Sequence, residues 1–429
     1  MDDEKLLKGK RLLILGGSQW KEAIKQFSDE YGITLIATGN DTNAGIFEIA
    51  HESYNINSTD VESMKQLIIE KHIDGVYMGG SEPVITAACE YINDLGLPCY
   101  CTKEQWNYLQ NKVNFKDLCV KNGLPVVPRY EVTLNNIEDI SEDAFFPVIT
   151  KPTDGCGSSG FSVCNNLDEL KRGYKIAAES SPTGGVIVEK FVKNDGVVVF
   201  YTFSEGNVYF SGLEDKYPVK YEKQGSYVGG LFVFESQLAS EFRARFEDKI
   251  QMMINSIGIK EGSAWIEVFH DGDEYYFNEV GFRYGGSVSV YPVNYFYEIN
   301  QVASDIYYAL TGKSKIFGHR SLMPITLHQK KKYCVYPVHI KSGIIKSIKG
   351  EDVVKAMENV TFITLTKHEG DFIADTGSFS QAFALVHFVC DDEKECIKTI
   401  DEICMKLSVI DSEGNDMIHK MLDFNKVKF

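Results

Sequence analysis

The sequence predicts a chain of α/β and α+β class in three parts. A Rossmann-like parallel-sheet unit covers residues 1 to about 105, a β-rich central unit about 106–320, and an α+β unit about 321–429. Three observations carry this. Strand-like and helical patterns alternate at the amino end, which builds a parallel sheet. Strand-like runs dominate the middle. Between two of them lies a glycine-rich stretch, KPTDGCGSSG, at residues 151–160.

In chain order, KRLLILGG reads as a strand and glycine turn, WKEAIKQFSDEYG as an amphipathic helix, and ITLIAT as a strand. ESYNI, a helix from about Val61 to Lys71, the run DGVYMGGSEP, a helix VITAACEYINDLG and the extended LPCYC follow. Gly16 and Gly17 stand where a dinucleotide fold binds its ligand, but the turn reads G-G-S-Q-W-K and lacks the full G-x-G-x-x-G. Either it is a tight strand-to-helix turn, or Gly16–Ser18 and Gly80–Pro83 help hold a small substrate.

From about residue 106, NKVNFKDLCVKNG reads as a helix stopped at Asn122–Gly123. FFPVIT and GFSVC are strands on either side of the glycine loop, and a helix from about Leu167 to Glu179 leads to GGVIVEKFV. DGVVVFYTF, NVYFSGLED and SYVGGLFVF are β-rich. A helix at Ala239–Ser256 precedes the hairpin GSAWIEVFHDGDEYYFNEVGFR, and a last helix runs near Tyr297–Leu310. The tail offers strands YCVYPVHI, GIIKSIKG, VTFITLTKH and AFALVHFVC, with a helix DEKECIKTIDEICMKL.

Composition narrows the function. Hydrophobic residues at 44% and charged residues at 24% fit a globular protein. A net charge of −17 repels phosphate backbones, so no nucleic-acid partner is expected. No run of about 18 apolar residues exists, so no membrane span is expected. The start MDDEKLLKGKRLLILGG has too short an apolar stretch for a secretory signal. Ten cysteines without C-x-x-C pairs read as reduced thiols of a cytoplasmic protein, and the nine histidines lack metal-ligand spacing.

A P-loop places its lysine after the glycines, at a helix start. Here Lys151 ends one strand and the glycines lead into the next, so the loop is a hairpin cradle. Gly155, Gly157 and Gly160 let backbone N–H groups approach a ligand; Ser158 and Ser159 add hydroxyls, and Lys151 adds a point charge suited to phosphate. Alone, such a loop is equally a flexible surface hairpin.

KPTDGCGSSG resembles the phosphate-covering loop of the ATP-grasp superfamily, and other landmarks of that superfamily follow in order. The resemblance covers most of the chain: a preceding α/β domain, an ATP-grasp domain over 106–320 with its glycine-rich lid in a subdomain of about 113–190, and a closing C-terminal domain. It implies ATP and Mg²⁺ as cofactors. Asn111–Lys112 matches the site of the first phosphate-binding lysine, Lys112. VIVEKFV resembles the hinge that holds adenine through Glu189, Lys190, Phe191 and Val192, with Asp195 near the ribose. The metal ligands are implied to be Glu267 and Glu279 on the hairpin. Lys151 and Arg283 are implied in catalysis, Arg283 facing the transferred phosphoryl group. Gly285, Gly286 and Ser287 resemble the substrate-side loop, and Lys216 is either a phosphate contact or an exposed lysine.

Strand geometry makes the metal pair testable, because one face repeats every second residue. A two-residue turn at Asp271–Gly272 puts Glu279 on the wrong face; a three-residue turn, Asp271–Asp273, pairs Glu267 with Phe277 and brings Glu279 to the same face. The metal site therefore calls for an odd-length turn. The family pattern at the second glutamate, E-[IV]-N-x-R, reads here Glu279-Val280-Gly281-Phe282-Arg283. The asparagine that helps hold a second magnesium is Gly281, and Asn278 points to the opposite face of a regular strand.

The resemblance implies a carboxylate–amine ligase that activates a small carboxylate, such as an amino acid, as an acyl phosphate for attack by an amine. Its partners are then small molecules, with a homodimer as a family-level expectation. A bicarbonate-activating carboxylase and a nucleotide-binding regulator without turnover are the alternatives. A nicotinamide-dependent oxidoreductase rests only on the first glycine turn.

Overall fold

The computed structural model describes residues 3–139, 146–154, 160–192, 196–222, 226–318 and 331–429. Of the expected site residues, Gly155, Gly157, Ser158, Ser159 and Asp195 lie outside these.

The amino-terminal sheet is parallel: β1 (Arg11–Ile14), β2 (Thr34–Thr38), β3 (Glu52–Tyr54) and β4 (Gly75–Tyr77), in the order β3-β2-β1-β4. Helices Lys21–Tyr31, Val61–Glu70 and Glu82–Asp94 connect and flank the strands, as the alternating pattern requires. Chain direction switches between β1 and β4, so a crevice opens at their carboxyl ends. There the two glycine turns touch: a Cβ on Gly79, at φ +71°, would lie 2.7 Å from the Gly16 Cα. The expected extension at LPCYC makes no strand, and Pro98 has no N–H to give a ladder.

A second sheet is antiparallel: β5 (Arg129–Tyr130), β6 (Val148–Pro152), β7 (Ser162–Cys164) and β8 (Val186–Lys190), in the order β5-β8-β6-β7. The helix Leu167–Ser180 packs on it, capped by the Asn166 side chain, which accepts from the Glu169 N–H.

The largest sheet takes β9 (Gly196–Ser204), β10 (Asn207–Tyr221), β11 (Ser226–Phe234), β12 (Gly262–Asp271), β13 (Glu274–Gly281) and β14 (Lys332–His339). After β15 (Gly343–Lys349) come β16 (Val360–Leu365), β17 (Phe372–Ile373), β18 (Ala382–Cys390) and β19 (Ser408–Asp411). The order is β13-β12-β9-β10-β11-β14-β18-β16, with β17-β15-β19 as a small sheet beside it. Phe232 of β11 pairs with Val335 of β14, so one sheet runs across the break expected near residue 321.

The last central helix is two helices, Val290–Tyr297 and Gln301–Thr311, separated at Glu298, whose φ is +51°. Asn300 caps the second by accepting from the Ala303 N–H. The first, VYPVNYFY, is poor in helix formers, so it forms by burying Val290, Val293, Phe296 and Tyr297. No helix among the described residues is long and apolar enough to cross a membrane.

Candidate functional site

One face of the large sheet gathers charged side chains. Paired positions across the strands share a face, and three rows result. Glu214, Val198, Glu267 and Glu279 form the middle row; Gly212, Phe200, Trp265 and Gly281 lie on one side of it. Lys216 lies on the other side, two residues along from Glu214.

The β12–β13 turn is not of odd length. Asp271 pairs with Glu274 across Gly272–Asp273, a two-residue turn. The glutamates meet because the register shifts between Glu267 and Val268: Val268 pairs with Phe277, Glu267 with Glu279, and Asn278 is the extra residue of a β-bulge. The bulge also corrects the expectation for Asn278, which points into the site. Its Nδ2 donates to Glu267 Oε2 at 2.6 Å, and its Oδ1 accepts from Lys151 Nζ at 3.0 Å.

Three elements bring lysines to this face. Asn111 caps the helix Lys112–Lys121 by accepting from the N–H groups of Val113 and Asn114, which places Lys112 at the first helical position. The Lys112 N–H donates to Thr153 O at 3.1 Å, tying the helix to the entry of the glycine loop, and its Nζ is 3.5 Å from Glu279 Oε2. One turn on, Lys116 is buried against Glu189, with Asn278 Oδ1 at 3.5 Å. Lys151 on β6 reaches Glu189 Oε2 at 3.1 Å and lies over the Phe269 ring at 5.5 Å. Lys216 is partly buried and donates to Glu267 Oε1 at 2.7 Å.

Burial alone would raise the Glu189 carboxyl; the charges of Lys151 and Lys116 outweigh it and hold the group below its ordinary value. Glu267 is likewise lowered, Lys216 and Asn278 overcoming its burial. Burial and the like charge of Lys151 push the Lys116 ammonium down to about 8. Four lysines, 112, 116, 151 and 216, stand against three glutamates, 189, 267 and 279. An arriving polyanion therefore meets a surplus of positive charge, and lysines drawn onto it would free carboxylates for a divalent cation.

At the hinge, the Glu189 side chain is taken up by the two ammonium groups. The Lys190 N–H donates to Pro128 O and the Phe191 N–H to Pro147 O, and Val192 follows them. Gly160, at φ +75°, packs against Ser180, whose Cβ would lie 2.3 Å from an added Cβ.

Arg283 reaches the amino-terminal unit, at the start of the helix Glu82–Asp94. Its Nη2 donates to Glu82 Oε1 at 2.6 Å and its Nε at 3.2 Å, with the guanidinium 5.4 Å from the Trp265 ring centroid. Between the units lies a cleft of about 300 Å³, lined by Gly16–Ser18 and Gly80–Ser81 on one side and by Arg283, Gly285 and Gly286 on the other. It opens at the switch point between β1 and β4, where ligands of such sheets bind. Trp20 fills the space before the first glycine turn, its Cη2 3.0 Å from where a Gly80 Cβ would stand, and donates to Tyr77 Oη at 2.7 Å. Ser287 does not line this cleft. Its buried hydroxyl donates to Glu214 at 2.9 Å, and burial raises that carboxyl to about 8.

Gly281 has a steric reason. A Cβ there would lie 2.2 Å from Trp265 Nε1, because the indole covers this position, so an asparagine has no room here.

The comparisons with known proteins bear on the fold. A model described as "Carbamoyl-phosphate synthase L chain, ATP binding domain" matches residues 111–198. The chain superposes on the biotin carboxylase domain of the Hydrogenobacter thermophilus 2-oxoglutarate carboxylase with a TM-score of 0.75 at 16% identity, covering 93% of this chain and 90% of that one. The chain has the ATP-grasp fold. It also superposes on an L-amino acid ligase from Bacillus licheniformis, with a TM-score of 0.73 at 19% identity over 94% of this chain and 99% of that one. In sequence it is 25% identical over 282 residues to a formate-dependent phosphoribosylglycinamide formyltransferase of Mannheimia succiniciproducens, covering 64% of this chain and 70% of that protein.

Lys116, Asn278, Trp265, Glu82 and Glu214 were not among the expected site residues. Only Lys116 carried a sequence signal: it lies four residues from Lys112, on the same helical face.

Two predictions follow from the packing. Lys116 titrates near 8 in the fold against an ordinary 10.5, so the unfolded chain binds the extra proton between those values. The stability of the wild type relative to Lys116→Met therefore rises as pH climbs from about 8 to about 10.5, measured by urea denaturation across that range. Gly281→Asn lowers stability by about 1–3 kcal/mol through overpacking against the indole, and adding Trp265→Ala recovers at least half of the loss in the same assay.

Proposed function

We propose that this chain is an ATP- and Mg²⁺-dependent ligase that activates a small carboxylate as an acyl phosphate and passes the acyl group to an amine. The observation that carries the reading is the lysine–carboxylate face: Lys112, Lys116, Lys151 and Lys216 interleaved with Glu189, Glu267, Glu279 and Asn278. Lys112 and Lys151 position and neutralise a triphosphate entering under the glycine loop. Glu267 and Glu279, directly opposed across the bulge, hold magnesium, which draws charge from the γ-phosphoryl group when bound. Lys216 keeps Glu267 ionised and oriented at the edge of that pair.

The carboxylate and the amine meet at the interunit cleft, where Gly285 and Gly286 leave room for close approach and Arg283 stands at the rim. Among the described residues lining it, Arg283 is the single cation, and Glu82 neutralises it. That balance favours an uncharged or zwitterionic acceptor, such as an amino acid, over a phosphorylated one. For the activated carboxylate an amino acid is the first candidate and formate the second, because formate-dependent formyltransferases are among the sequence relatives, one of them over 64% of the chain.

Purified protein with Mg-ATP, supplied separately with amino acids, formate and bicarbonate, decides among these readings. ADP and phosphate formation is expected to rise with amino acids or formate and to fall about 10²–10³-fold in Glu279→Gln and Lys151→Met. Stimulation by bicarbonate alone assigns a carboxylase instead. Nucleotide binding without stimulation by any of the three contradicts the ligase reading.

A further inference from the structure

Away from the nucleotide face, two groups of three cysteines each bring their sulfurs within 4.8 Å of one another: Cys89, Cys99 and Cys101, and Cys334, Cys390 and Cys396. Buried thiols commonly act as small apolar side chains, so spacing and placement must separate a metal site from ordinary core. A Zn–S bond of about 2.3 Å sets neighbouring sulfurs about 3.8 Å apart in a tetrahedral site and about 4.0 Å apart in a trigonal one. Cys334 Sγ is 3.6 Å from Cys390 Sγ and 3.9 Å from Cys396 Sγ, already at that spacing. In the other group Cys89 and Cys101 stand at 3.2 Å, too close for two ligands of one ion and too far for the ~2.05 Å of a disulfide.

Placement points the same way. The three C-terminal sulfurs come from three elements: β14, the last residue of β18, and the first turn of the helix Glu393–Lys406. All three residues are fully buried. The helix start is fixed around them: Asp392 accepts from the Glu395 N–H, Glu395 from the Asp391 N–H, and Glu393 from the Phe429 N–H. Those carboxylates are thus engaged, and the donor set is purely sulfur, which selects soft cations.

We propose that Cys334, Cys390 and Cys396 form a zinc site that pins the C-terminal helix to the two strands beneath it. Three thiols release their protons to solvent on binding, leaving a zinc–thiolate unit of charge −1. Cu⁺ in the same place would leave −2, and burial in an apolar core disfavours the larger charge. The large sheet runs unbroken from β14 to the nucleotide face, so the ion would brace the outer end of the sheet that carries the catalytic glutamates.

The test uses full-length protein, reduced and stripped of metal, titrated with Co²⁺ and then Zn²⁺. One equivalent of Co²⁺ is expected to give a thiolate-to-cobalt charge-transfer band that Zn²⁺ displaces. The band is expected to vanish in Cys396→Ser and to persist in Cys101→Ser. Zn²⁺ is expected to raise the melting temperature of the wild type and not of Cys396→Ser. Circular dichroism confirms that the variant is folded, and Cys334→Ala stands in if it is not. A folded wild type that gives no such band, a band that survives loss of Cys396, or a band lost in Cys101→Ser overturns the proposal.

Discussion

Two buried ammonium groups must share one buried carboxylate, and the site is organised around that need. Lys116 and Lys151 come from different elements, a helix and a strand, and both close on Glu189, which no solvent reaches. Leaving either charge unpaired would cost about 3–5 kcal/mol. The helix Lys112–Lys121, strands β6 and β8, and the hairpin carrying Asn278 are therefore held in one relative position before any ligand arrives. Pre-positioned charge of this kind stabilises a transferring phosphoryl group without reorganisation during the reaction.

The second constraint is the bulge. Without the extra residue at Asn278, the two-residue turn would set Glu279 on the opposite face from Glu267. With it, both glutamates and Asn278 serve one site. The row that holds Glu214, Glu267 and Glu279 then lies under the lysines, while Trp265 folds over Gly281 and stacks near the Arg283 guanidinium. The lysine–carboxylate face thus stands on the large sheet, and the interunit cleft lies where that sheet meets the parallel one at its glycine turns.

Much of this was legible in the sequence, for physical reasons. The alternation of strand and helix over the first hundred residues follows from periodicity, and the helix Ala239–Ser256 appears as read. Lys112, Lys151, Glu267 and Glu279 converge as expected, because each sits at a motif whose spacing fixes it on a strand or helix start. The bulge was not legible: the turn-length argument assumed a regular ladder, and nothing in YYFNEVG marks Asn278 as the extra residue. The indole over Gly281, the pairing of Arg283 with Glu82 and the commitment of Ser287 to Glu214 are tertiary contacts between residues 16, 201 and 73 positions apart, which no local pattern records. The helix Val290–Tyr297 failed to show because burial, not propensity, forms it.

A crystal structure of the protein with Mg-ADP tests the central claim most directly. The account predicts the phosphates against Lys112 and Lys151 beneath the glycine loop, with magnesium between Glu267 and Glu279. A nucleotide seated instead at the glycine turns of Gly16 and Gly80, or a metal held away from both glutamates, would contradict it.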